Sequence, residues 1–168
     1  MAALAGRFGG TPLQPRIEPG PLRTLDEVAI DNAAEGCVRE TFGALVGMWQ
    51  ARFASDPAVR NTMTRIARDE SRHAALSWEI ADWLEPRISP ATRRRLEAAR
   101  RDAIEQLEKE LRSAPEAGVV QVAGVPTAGA ARLLLARLRE SLWERDERRS
   151  VARSSTATLA CTARVAAS

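Results

Sequence analysis

The chain has no tyrosine, and histidine and lysine occur once each, as His73 and Lys109. Without tyrosine, tyrosyl-radical chemistry is excluded. The two cysteines, Cys37 and Cys161, are too few for a disulfide framework, and Cys37 reads as a small buried hydrophobe. No run reaches the roughly 18 apolar residues of a membrane span, and the opening MAALAGRFGG lacks the apolar centre of a signal peptide. The setting implied is soluble, reducing and cytoplasmic, with no membrane partner. β-Branched residues never gather into alternating runs, which removes the usual signal for strands.

What remains is a helix-forming composition. Of 168 residues, 45% are hydrophobic, and Ala, Leu, Glu and Arg predominate. The expected fold class is all-α. The net charge of +3 is carried by arginine, but acidic residues are interleaved throughout, so a nucleic-acid partner is not expected. The run RRRLEAARRD reads as a solvated face.

Punctuation divides the chain. Residues 1–23 carry GG, TP, QP and EPGP and read as a Pro/Gly-rich arm or crossover. Thr24, with Glu27 three residues on, marks a capping box opening a helix that runs to about Ala54. Asp56 and Pro57 then cap and start a second helix, ended near Leu84 by EPRISP. Two long helices joined by a tight turn predict an antiparallel hairpin. A third helix opens at Ser89 or Thr92 and carries Leu96, Ala103, Leu107 and Leu111 on one face. A fourth, from about Ala130 to Glu147, buries Leu134, Leu135, Leu138 and Leu142. Residues 24–148 thus form the helical domain, with flexible termini and a disordered tail at 149–168.

The hairpin carries acids where apolar residues belong. On the second helix Met63, Ile66, Glu70, His73, Ser77, Ile80 and Leu84 follow a three-four spacing, which is one helix face. On the first, Val28, Asp31, Glu35, Val38, Phe42, Leu45 and Trp49 do the same. A second stripe of small residues, Ala29, Ala33, Gly36, Gly43 and Gly47, carries Glu40 and lets another helix come close. A buried unpaired carboxylate costs several kcal/mol, so Glu35 and Glu70 need partners. A divalent cation is one; an arginine such as Arg39 or Arg65 is the other. Trp49, Trp78 and Trp83 read as core and helix-contact residues.

DNAAEGCVRETFGAL followed, after a DP turn, by IARDESRHAALSWEIADWL resembles the second half of bacterial ferritin-like domain proteins. The resemblance covers roughly Leu22 to Trp83 and, more weakly, the GVP segment and the last helix. It implies a half of a four-helix carboxylate bundle, with Glu35 giving the first-helix ligand and Glu70 with His73 the E-x-x-H of the second, on a di-iron or di-manganese centre. Glu40 is the rival for the first ligand, because counting back from the turn puts it nearly level with Glu70. A complete domain of that family has an earlier helix pair with another glutamate and another E-x-x-H, and this chain has neither. The hairpin would then be completed by a homodimer, which supplies the full ligand set, or by the two later helices, and the resemblance implies an oxidoreductase activating oxygen or peroxide. The alternative is a metal-free helical remnant acting as a structural or interaction module.

Overall fold

The structure, a computed structural model, describes residues 2–13, 16 and 20–144. The expected tail lies outside them, as do residues 145–147 of the fourth helix. Among the described residues every regular element is helical, as the composition requires, and no single helix is long and apolar enough to cross a membrane. The chain forms two compact units, Met1–Ala131 and Arg132–Ser168.

The arm contains one short helix, α1 (Ala2–Arg7), and its other described residues form no helix or strand. The first long helix begins where the capping box places it. Thr24 Oγ1 accepts from the Glu27 amide, and Glu27 Oε2 accepts from the Thr24 amide at 2.8 Å. This helix changes pitch on the way. It is α-helical over α2 (Leu25–Asp31), π-helical over Asn32–Glu40, and α-helical again over α3 (Thr41–Phe53).

Asp56 Oδ1 accepts from the amides of Ala58 and Val59 at 2.8 and 3.0 Å, and Pro57 opens α4 (Pro57–Leu84). A cap of this kind contributes about 1 kcal/mol. Pro86 converts the chain beyond Leu84 to a single 3₁₀ turn, Glu85–Arg87. Ser89, the first of the two expected caps, accepts from the Thr92 amide and starts α5 (Pro90–Glu110).

The antiparallel hairpin of the first long helix with α4 is the centre of the larger unit. α5 lies along α2 and the π-helical stretch. Thr92 Oγ1 donates to Asp26 Oδ2 at 2.6 Å at one end, and Arg39 reaches Glu110 at 3.2 Å at the other. α5 therefore runs parallel to the first helix. Its buried residues are Thr92, Arg100, Ala103, Ile104 and Leu107, while Leu96 and Leu111 sit half-buried. Ala29, Leu84 and Ile88 form a core cluster against which Val28, Ile80 and Leu96 pack.

The segment EAGVVQVAG, read from sequence as a linker, contains α6 (Ala117–Ala123). Its last carbonyls find donors in the hairpin turn: Ser55 N–H to Gln121 O and Asp56 N–H to Val122 O, both 3.3 Å, and Gln50 Nε2 to Ala123 O at 3.0 Å. These partners lie some 70 residues away in sequence, so no local pattern announces them. Gly124 ends α6 at φ +65, in close approach to the Ala54 backbone.

α7 (Ala128–Leu138) continues into a π-helical turn, Arg139–Trp143. Within the second unit Arg137 pairs with Glu140 at 3.3 Å, and Ser141 Oγ donates to the Arg137 carbonyl. Of the four leucines expected inside, Leu135 is buried and Leu134, Leu138 and Leu142 are half-buried.

Candidate functional site

The buried face of α4 is Val59, Ala67, Ala74, Ser77 and Leu84. This corrects the expected stripe. Ser77 and Leu84 belong to both, but the helix is turned so that Ala67 and Ala74 meet the partner, leaving Met63, Ile66 and Ile80 half-buried. The partner's seam explains the rotation. A Cβ placed on Gly47 would stand 3.4 Å from Ala67, and one on Gly36 only 2.4 Å from Ser77 Oγ. Small faces small, so the two backbones come together along the stripe that carries Glu40.

These crossings fix the register. Gly36 is level with Ser77 and Gly47 with Ala67, so Glu40 falls near the level of His73 and Ala74. Glu35 lies about two turns, or roughly 12 Å, from the level of Glu70. Of the two first-helix acids, Glu40 is the one near the E-x-x-H level.

Glu35 does not face the hairpin core. Its side chain is 69% exposed and pairs with Arg39 at 3.6 Å. The π-helical stretch is the reason: bonds running from residue i to i+5 turn the chain less per residue, so positions three or four apart no longer stack. Val38 and Phe42 are buried while Glu35, in their expected stripe, points out. His73 is likewise 58% exposed, and Glu70, at 37%, stands on the rim. Glu70 Oε2 lies 3.6 Å from His73 Nδ1. The arginine partner expected for this pair is not Arg39, which joins Glu35 and Glu110.

Glu40 is half-buried, its Oε2 3.2 Å from Ser77 Oγ, whose single proton is shared with the His73 carbonyl at 2.9 Å. It belongs to a polar cluster that sequence reasoning did not assemble. The Ser77 carbonyl accepts from Asn32 Nδ2 at 2.9 Å and from the Cys37 thiol at 3.6 Å. Thr41 Oγ1 accepts from Trp78 Nε1 at 3.2 Å and donates to the Gly36 carbonyl five residues back. The Arg100 guanidinium stands over the Trp78 ring at 5.3 Å. Cys37 is fully buried, as expected. Arg100 corrects the reading of RRRLEAARRD as wholly solvated, since burial against Trp78 takes it out of water. Trp83 corrects the core expectation in the other direction: it lies outside, its ring under the Arg87 guanidinium at 4.1 Å.

Such a cluster locks two helices in one register, because any slip leaves buried donors unpaired. Among the described residues no three His, Cys, Asp or Glu side chains converge as a metal ion requires.

Three carboxyl groups at the periphery have lowered pKa values. The Thr24 amide holds Glu27 below the usual carboxylate range, the Val59 amide does the same for Asp56, and Arg39 for Glu110. Arg7 reaches both oxygens of Asp56, at 3.2 and 2.8 Å, and fastens α1 across the turn. α1, α6 and the adjoining ends of α3 and α4 enclose an open cleft of about 600 Å³, lined by Leu4, Phe8, Met63, Val119 and Val122 among others. Gln50 is its one polar side chain among the described residues. Compared with known proteins, the chain matches no family model, no curated protein and no solved structure.

Proposed function

We propose that the chain is a helical interaction module built on a ferritin-like half-bundle, in which the inherited metal-ligand pattern serves packing and assembly. The observation that carries this reading is the division of the expected ligands among separate partners. Glu35 goes to Arg39, Glu40 to Ser77, and Glu70 to His73. Small residues close the seam between them, Glu35 and Glu70 reach solvent, and Glu40 lies beside the Ser77 hydroxyl, so none of the three is a buried, unpartnered carboxylate that requires a cation.

The test is the iron, manganese and zinc content of protein purified without added metal or chelator. The module reading expects metal far below stoichiometric and a Glu70→Gln variant within about 0.5 kcal/mol of the parent in stability. About one iron or manganese per chain, lost in Glu70→Leu/His73→Leu, overturns it.

One observation favours a second reading. Glu70 Oε2 and His73 Nδ1 lie 3.6 Å apart on one helix turn and both reach solvent, so a second copy is able to bring further carboxylates to them. In that reading a homodimer binds iron or manganese and supplies oxidoreductase chemistry, with Glu40 the first-helix acid nearest in level.

A further inference from the structure

The outward side of α4 carries a charge pattern that the helix itself does not call for. Arg65, Arg68, Arg72, Ala75, Glu79 and Asp82 follow one another at three-four spacing, and all six are exposed. The N-terminal half of this stripe is basic and the C-terminal half acidic. That is the reverse of what a helix dipole favours, which is acid at the start and base at the end. The first turn holds no acid and the last no base, so the arrangement does not complement the helix dipole. Beside it two large apolar side chains stand in water, Leu76 at 52% and Trp83 at 51% exposure.

We propose that this face is a self-association surface on which a second copy of the chain docks with its α4 antiparallel. A twofold axis passing between Ala75 and Leu76 sets Arg72 of each copy against Glu79 of the other, and Arg68 against Asp82. At the centre Ala75 of each copy meets Leu76 of the other, and the small Ala75 lets the helices approach. In the parallel arrangement base would face base and acid face acid, so the charges select the antiparallel one. Arg72 already bonds Asp69 in its own helix at 2.9 Å, but a guanidinium has five N–H donors and serves both acids. The stripe from Arg65 to Asp82 is roughly 27 Å long, enough for a weak, salt-sensitive dimer rather than an obligate one.

The proposal rests on the interaction-module reading and names its partner. The experiment is sedimentation velocity of the full chain over a concentration series at low and high salt. It expects a monomer–dimer equilibrium that weakens with salt. Glu79→Arg and Arg72→Glu should each raise the dimer Kd by about tenfold or more, with circular dichroism unchanged because both residues are exposed. The charge swap Arg72→Glu/Glu79→Arg should return the Kd to near the parent value, which no merely structural role would produce. A chain that stays monomeric throughout, or a dimer indifferent to both single reversals, overturns the proposal. Either result leaves the module reading standing, whereas stoichiometric metal at Glu70 and His73 overturns that reading whatever the dimer does.

Discussion

Replacing Gly36 with alanine tests the seam of the hairpin directly. The new Cβ would lie 2.4 Å from Ser77 Oγ, 2.6 Å from Ser77 Cβ and 2.9 Å from Asn32 Oδ1. The hydroxyl can rotate away, but Ser77 Cβ is fixed to its backbone. Carbon atoms rest at about 3.5–4.0 Å, so the two helices must part by about 1 Å at this level. That movement stretches the bond from Asn32 to the Ser77 carbonyl and loosens the Cys37 contact. Overpacking of this kind costs about 1–3 kcal/mol, and with three contacts too short the upper end applies. Alanine returns about 1 kcal/mol through helix propensity. The expected net loss is about 2 kcal/mol, a fall in Tm of about 4–8 °C for a chain of this size. Gly43 is the internal control. A Cβ added there would meet nothing within 4 Å, so Gly43→Ala should stabilise by about 0.5–1 kcal/mol. Urea unfolding of both variants, with Ser77→Gly added to Gly36→Ala to relieve the clash, gives a double-mutant cycle with favourable coupling. A Gly36→Ala protein as stable as the parent would refute the seam.

Gly124→Ala should be more damaging still, because its φ of +65 strains any side chain and its Cβ would stand 2.3 Å from the Ala54 amide nitrogen; thermal unfolding should show a large loss, and an unchanged Tm would mean that α6 does not dock on the turn. Stability should fall in acid. Glu27, Asp56 and Glu110 have lowered folded-state pKa values, so their contribution is present above the ordinary carboxylate pKa of about 4 and is lost as the pH drops through the lowered values. An Asp56→Ala variant, which lacks the cap and the Arg7 contact, should show a shallower acid limb when unfolding is followed by circular dichroism. An identical limb would count against the Val59 and Arg7 contacts of Asp56.

The ends of the helices were legible in the sequence because a cap is local chemistry. Thr24 and Asp56 accept from amides within three residues, as does Ser89, one of the two caps the sequence offered for the third helix. The adjacency of Glu70 and His73 was legible for the same reason, since positions three apart on an α-helix are neighbours. Their partners were not. The α-helical period fails across the π-helical stretch, which carries Glu35 away from Val38 and Phe42. The rotation of α4 was set by Gly36 and Gly47 on another helix, the formation of α6 by donors in a distant turn, and the burial of Arg100 by Trp78 on α4. By itself the sequence determined an all-helical chain with a capped hairpin and a Glu–His pair. Only the tertiary structure decided which faces close, because packing weighs small residues against large ones across two helices at once, and neither helix carries that information alone.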